Sequence, residues 1–461
     1  MPLVAGIDSS TQSTKVEVRD FESGELVATG RAPHPATTPP CSEQDPKAWW
    51  EALLTAFGQV GPLVKDIAAV SVAGQQHGLV VLDSDHQPLR DAKLWNDTES
   101  AQQAERLTNQ IGADAWAAAC GSVPVASFTV TKLAWLVQHH SALVPSIAKV
   151  LLPHDYLNFC LTGEFSTDRG DASGTGWFDG GANRYRDDLL ALVGGRDDWP
   201  DLLPPVRGPV EPAGTITAAA AEATGLRQGI AVGPGTGDNM AAALGLGLTP
   251  GDVVISIGTS GVAYAASTTP TMDPTGQVAG FSDATGGFLP LVCTLNATKV
   301  TDTVARWLGL DQETFAAAAL TSCSGANGVR LTPYFDGERT PNQPDATGTF
   351  EGLRNTSTRE DLARAAHEGV VSGLLHGVTM LGAVGADVSG RRYLIGGGAK
   401  SEAYRQVVAD LANSVAVVPE SDEVVATGAC VQAAAVLGQE FGVTSLAWRL
   451  GAGVEVAPSS G

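Results

Sequence analysis

Basic side chains are scarce in this chain of 461 residues: 28 Lys and Arg stand against 50 Asp and Glu, a formal charge of −22. Such an excess repels polyanions and excludes a general nucleic-acid or anionic-membrane binder, while leaving room for a local, amide-rich pocket that holds one small phosphate. Cysteine is sparse too. The six thiols (Cys41, Cys120, Cys160, Cys293, Cys323 and Cys430) are scattered and form no CxxC pair, so a zinc ribbon and thioredoxin-type chemistry are excluded. A core of this size needs no disulfide or metal staple, and the expected state is reduced, mostly buried thiols in a cytoplasmic protein. No apolar run is long enough to cross a membrane. The opening MPLVAGIDSS has no basic segment ahead of an apolar one, so no secretory leader is expected.

Glycine, in contrast, is abundant, with 54 residues, which suits many tight turns and close backbone approaches. A weak internal repeat organises the chain. Leu3 to Val18 reads LVAGIDSSTQSTKVEV, and Asp252 to Ala266 reads DVVISIGTSGVAYAA. Each is a β-rich run, a small hydroxyl-rich turn and a second β-rich run. If the repeat is a duplication rather than chance, two related domains face each other across a cleft. Between and after the hairpins, strands and helices alternate, so the fold class is α/β. Asp45-Pro46 predicts a helix start. Ile67 to Ala73 predicts a buried strand, Thr131 to His139 a helix, Asp197 to Pro212 a loop, and Arg359 to Gly385 a long helix. TGACVQAAAVLG predicts a small-residue helix that packs closely on a neighbour.

Hydroxyl- and glycine-rich turns offer several N–H and O–H donors to one anion, here the phosphates of a nucleotide. Asp8 lies in the first turn. A carboxylate beside phosphates calls for a cation between them, and so points to Mg²⁺; an Asx-turn residue is the alternative. No P-loop is present, because Leu394 and Ala399 stand where that pattern needs glycine, and no GxGxxG opens a helix. Gly235 to Asn239 (GTGDN) presents Asp238 between glycines, where it serves either as acceptor of an alcohol proton or as a helix N-cap. GQQHG places Gln76 and His77 at a strand end, suited to orienting sugar hydroxyls; a structural histidine is the alternative. Trp95, in LWND, is either a sugar platform or a core tryptophan. GGGA (Gly396 to Ala399) clears side chains so that a flat ring can lie on the backbone, or simply enters a helix.

Together these pieces resemble the FGGY carbohydrate kinase family. SFTVTKLAWLVQH (Ser127 to His139) is similar to one family signature, and GTFEGLRNTSTREDLARAAHE (Gly348 to Glu368) to the other. In the second, His367 stands where an apolar or aromatic packing residue is usual. The resemblance runs from about Leu3 to about Gly438. It implies two actin-like, ribonuclease-H-type domains facing a central cleft. Residues 1–240 would carry the sugar site and first phosphate hairpin, and residues 241–461 the adenosine pocket and second hairpin. It implies ATP and Mg²⁺, with Asp8 on the metal and Ser10, Thr11, Lys15, Gly258 and Thr259 at the phosphates. Gly397, Gly398 and Ala399 would line the adenosine pocket. Gln76, His77, Trp95, Asp238 and Asn239 would meet the sugar, with Asp238 as general base. A surface role remains the alternative for Lys15. SEQDP (Ser42 to Pro46), GQQHG, LWND and PYFDGERTP (Pro333 to Pro341) are similar to the members that phosphorylate D-xylulose on its C5 hydroxyl, although Gln76 stands where those often carry Met. Related ketoses such as ribulose, or a polyol, are the rival substrates. An actin-like ATPase is a rival of another class. Nucleic acid and membrane are not expected as partners, and a homodimer is left open.

Overall fold

A computed structural model describes residues 2–459. In chain order, the elements that build the cleft begin with β1 (Leu3–Ser9), β2 (Ser13–Asp20), β3 (Leu26–Pro33), α1 (Pro46–Val60) and β4 (Ile67–Gly74). Next come α2 (Pro153–Thr162), β5 (Gly214–Thr215), β6 (Ala231–Val232), β7 (Thr236–Gly237) and α3 (Asp238–Gly245). The second half holds β8 (Val253–Ile257), β9 (Gly261–Ala265), β10 (Ala279–Ser282), β11 (Phe288–Thr294), α4 (Thr298–Leu308), α5 (Gln312–Thr321) and α6 (Arg359–Ala383). It closes with β12 (Arg392–Ile395), α7 (Glu402–Ala412), β13 (Ala416–Pro419), α8 (Val424–Ala435) and β14 (Gly453–Val456).

Two seven-stranded sheets share one plan. In the first, β1, β2 and β3 form an antiparallel meander, and β4 and then β6 add in parallel on the other side of β1. In the second, β8, β9 and β11 form the meander, and β12 and then β13 add in parallel beside β8. The two hairpins read from the sequence thus hold equivalent places, each centred in its own sheet. β1 is buried along its whole length, as a strand flanked on both sides and covered on both faces must be.

Helix α8 joins the halves. It lies against β1 and α3, and only small residues permit so close an approach. A Cβ at Gly428 would stand 1.8 Å from the Ala241 carbonyl oxygen, and one at Gly245 2.0 Å from that of Val424. Gly6 of β1 faces the same helix, where a Cβ would come within 2.1 Å of the Ala426 oxygen. Gln432 ties the contact: it accepts from Ser71 Oγ at 2.5 Å and donates to the Gly235 carbonyl at 3.1 Å. The C-terminal half therefore grips the GTGDN turn from behind.

Local expectations mostly carry through. Asp45 caps α1 by accepting from the Lys47 N–H. The Arg359 helix runs to Ala383, with a Thr358–Asp361 capping box at its start. The Thr131 helix begins two residues earlier, at Thr129. Asp197 to Pro212 contains a short turn of 3₁₀-helix at Trp199–Leu202 and a strand at Val206–Arg207 that pairs with Thr167–Asp168. The expectation of mostly buried thiols needs correction: Cys120, Cys293 and Cys430 are buried and Cys160 partly so, but Cys41 and Cys323 are exposed, and all six are free.

Candidate active site

Three cavities run end to end along the cleft. One of about 270 Å³ is lined by Thr11, Gln76, His77, Trp95, Asp238, Asn239, Gly258 and Arg339. A second, of about 350 Å³, holds Asp8, Lys15 and the Gly396–Gly397 turn, and shares Ser256 with the first. A third, of about 980 Å³, is formed by Gly258, Thr259, α4, α5, Gly397, Gly398 and the start of α7. Gly397 and Lys400 belong to both the second and third.

Asp238 opens α3 as its first helical residue. Gly237 is the residue before the helix, so Asp238 is not its N-cap. Its Oδ1 accepts from the Asn239 N–H at 2.8 Å and from Asn239 Nδ2 at 3.0 Å. Burial raises its pKa to about 7, with the negative charges of Asp8 and Asp171 adding to the effect. Asn239 Nδ2 also donates to Gln76 Oε1 at 2.7 Å, while Gln76 Nε2 is buried with no protein partner. That amide is a donor waiting for an acceptor in the cavity.

His77 has a left-handed φ of 63° and packs against the rings of Phe128 and Phe281, which also touch each other. A Cβ on Gly174 would come within 2.1 Å of the His77 ring, so glycine there makes room for the imidazole. Burial holds His77 well below its ordinary pKa, with Lys132 and Arg339 adding to the effect, and the ring is neutral.

Asp8, at the end of β1, is buried, and its pKa is raised to about 6 by burial, against the lowering pull of Lys15. Lys15 lies directly across the hairpin from it; Lys15 Nζ reaches Asp8 Oδ2 at 3.4 Å and Glu423 Oε2 at 2.5 Å. Asp8 Oδ1 is buried without a partner. The residues expected at one phosphate site are spread more widely. Ser10 turns its hydroxyl back to the Ser13 carbonyl at 3.4 Å. Thr11 lies on the smaller cavity, accepting from Trp95 Nε1 at 2.9 Å and donating to Gln75 Oε1 at 3.2 Å.

The SEQDP and LWND motifs prove to be the frame around that corner. Gln44 donates to the Thr11 carbonyl at 3.0 Å and accepts from Trp49 Nε1 at 2.8 Å. Asp97 accepts from the Ser42 N–H at 2.9 Å and from Lys93 Nζ at 3.0 Å. These residues fix Thr11 and Trp95 from outside the cavity.

Sequence reasoning missed the buried cluster behind Asp238. His154 Nδ1 lies 2.9 Å from Asp171 Oδ2, and its Nε2 lies 3.0 Å from Asp155 Oδ1 and 3.6 Å from Asp168 Oδ1. Burial alone would lower this histidine, but Asp155 and Asp171 outweigh it and raise the pKa to about 9. Asp168 accepts from Thr236 Oγ1 at 2.7 Å and so holds the strand that leads into Asp238. The density of carboxylates in DRGD (Asp168 to Asp171) was the available signal. Glu423 and Arg339 were also missed as site residues: nothing local distinguishes Glu423 from a surface charge, and PYFDGERTP, although singled out, carries no local sign that its Arg339 faces the cavity.

The chain matches the FGGY family of carbohydrate kinases, N-terminal domain, over residues 3–245, and the C-terminal domain of the same family over residues 253–437. It is 48% identical over 456 residues to the xylulose kinase of Streptomyces coelicolor, covering 98% of this chain and 92% of that one. It is 35% identical over 441 residues to the xylulose kinase of Haemophilus influenzae, covering 93% and 89% respectively. The crystal structure of xylulose kinase from Bifidobacterium adolescentis is similar with a TM-score of 0.87 and 44% identity, over 95% of this chain and 94% of that one. With both domain types matched in order along nearly the whole chain, and two sheets of one plan enclosing the cleft, this protein belongs to the FGGY family of carbohydrate kinases.

Proposed function

We propose that this kinase transfers the γ-phosphoryl group of ATP to the C5 hydroxyl of D-xylulose, giving D-xylulose 5-phosphate and ADP. The observation that carries the reading is Asp238: a carboxylate raised to about 7 in a small cavity that opens on the Gly258 hairpin. An alcohol is a poor nucleophile until its proton has somewhere to go, and a base poised near the working pH accepts it late in transfer. Gln76, His77, Trp95 and Asn239 orient the sugar. Gly258 and Thr259 meet the phosphates, and Gly397 and Gly398 line the adenosine end, with Ala399 in the Asp8 cavity beside it. Phosphoryl transfer then depends on in-line placement and on excluding water when the two domains close. The boundary between them falls near residue 240.

Asp8 suits Mg²⁺, since its Oδ1 is buried with no partner and its side chain lines the cavity that the Gly396–Gly397 turn shares. A bound Mg²⁺ supplies positive charge that neutralises the phosphates. Asp8 would hold it, while Lys15 is already shared with Glu423. Among the described residues no helix is long and apolar enough to cross a membrane. Six free thiols suit a reducing compartment, the cytoplasm.

The test is ADP release with ATP, Mg²⁺ and a panel of D-xylulose, D-ribulose, L-ribulose and polyols. The expected result is sugar-dependent turnover with the highest kcat/KM for D-xylulose. A higher kcat/KM for either ribulose refutes the substrate, and ADP release indifferent to sugar refutes the sugar kinase reading.

A further inference from the structure

PYFDGERTP belongs to the C-terminal half, yet it delivers Arg339 to the cavity that Gln76, His77 and Trp95 form in the N-terminal half. The delivery is rigid. Glu338, 2% exposed, accepts from the Leu295 N–H at 2.6 Å, from Asn296 Nδ2 at 2.9 Å and from the Arg339 N–H at 2.8 Å. Glu338 and Gln343 exchange backbone hydrogen bonds of 2.8 Å each way. Gly337, at φ 75°, turns so tightly that a Cβ would meet the Pro344 carbonyl oxygen at 2.1 Å. A buried carboxylate clip and a turn only glycine can make hold the residue on which the guanidinium sits.

That guanidinium stands apart from the other cations of the cleft. Lys15 is bound by Asp8 and Glu423, and Lys400 by Asp422 at 2.9 Å. Arg339, half-buried, has no ion pair among the described residues. Its charge is felt on the sugar side, where it helps to hold His77 neutral.

The reaction has a need on that side. The bond from the γ-phosphorus to the bridging oxygen of ADP breaks, the bond from the sugar oxygen to phosphorus forms, and the hydroxyl proton passes to Asp238. A dianionic phosphoryl group thereby arrives in a cavity whose wall carries Asp238 and whose protein carries a charge of −22. We propose that Arg339 receives the transferred phosphoryl group, binding it in the transition state and in the sugar phosphate but contributing little to the unphosphorylated sugar. This assignment rests on the sugar kinase reading above. A planar guanidinium with several fixed donors is suited to a phosphate and poorly matched to one neutral hydroxyl. Because the residue comes from the opposite half, it also makes phosphate capture depend on the two halves being together.

The test compares wild type with Arg339→Gln and Arg339→Lys, measuring kcat, KM for sugar and ATP, and direct binding of D-xylulose and D-xylulose 5-phosphate. For Arg339→Gln we expect kcat to fall and the Kd for the sugar phosphate to rise by about ten- to hundredfold each, the range for losing a charged hydrogen bond. The Kd for D-xylulose should stay within about threefold, and Arg339→Lys, which keeps the charge, should fall between Gln and wild type. Equal weakening of sugar and sugar phosphate would overturn the proposal, because Arg339 would then recognise the sugar itself. Unchanged sugar-phosphate affinity would overturn it as well. Arg339→Lys alone decides the matter by the same criterion if the Gln variant disturbs the loop. A wild-type enzyme that phosphorylates only D-ribulose would refute the D-xylulose reading separately, and the Arg339 comparison is then made with D-ribulose and its phosphate.

Discussion

Replacing Asp238 by Asn removes a proton acceptor while preserving shape, including an oxygen able to accept from the Asn239 N–H at 2.8 Å. Loss of a general base costs about 10²–10⁴ in rate, so kcat should fall by that much with sugar and ATP binding retained. Stability should move the other way. The carboxyl rises from 3.8 in the unfolded chain to about 7 in the fold. Its favourable contribution is therefore complete below 3.8 and is lost as pH rises through about 7. A shift of that size is worth about 4 kcal/mol at most. Asp238 is partly exposed to the cleft, and solvent screening reduces this to about 1–2 kcal/mol between pH 5 and pH 8. The stability of Asp238→Asn relative to wild type should thus grow over that interval, raising the melting temperature by roughly 2 °C more at pH 8 than at pH 5 in metal-free buffer. Calorimetry at both pH values, paired with steady-state kinetics, checks both halves. A variant that keeps kcat within about threefold of wild type, or whose relative stability falls as pH rises, refutes the assignment of Asp238 as a strained base.

Gly174→Ala should act as an indirect His77 variant: its Cβ would meet the imidazole at 2.1 Å, so KM for sugar should rise by about tenfold with KM for ATP little changed, and equal changes in both would deny His77 a sugar role. For Asp8→Asn, the Mg²⁺ concentration for half-maximal activity should rise by at least about tenfold, while ATP binding measured without metal stays the same or tightens; an unchanged Mg²⁺ requirement would remove Asp8 from the metal site. His154→Ala leaves Asp155, Asp168 and Asp171 buried without their cation and should cost about 3–5 kcal/mol in denaturant unfolding; a cost under about 1 kcal/mol would show that the cluster is not held by charge. Gly428→Val should destabilise by about 1–3 kcal/mol or more and lower kcat through α3, because its Cβ would overlap the Ala241 carbonyl at 1.8 Å; a fully active, equally stable variant would show that the close helix contact does not position Asp238.

The amino-acid sequence by itself determined the elements and the two-fold plan. Asp45-Pro46 started α1, the two hydroxyl-rich hairpins became the central strands of two matching sheets, and the run of small residues became a close-packed helix. These are consequences of periodicity, capping and turn chemistry, which act over a few residues and so are legible locally. The sequence also singled out Gln76, His77, Trp95, Asp238 and Asn239, which the fold gathers around one cavity. Only the tertiary structure decided what surrounds them. Asp238 proved to be the first residue of its helix rather than its cap, and its pKa is raised by burial, to which the charges of Asp8 and Asp171, both distant in the chain, add. Lys15 was drawn to Glu423 from the far half, Thr11 was turned toward Trp95, and Arg339 crossed the cleft to the sugar side. Burial, charge pairing and orientation are properties of neighbours in space, and a sequence read along its length does not contain them until the chain has folded.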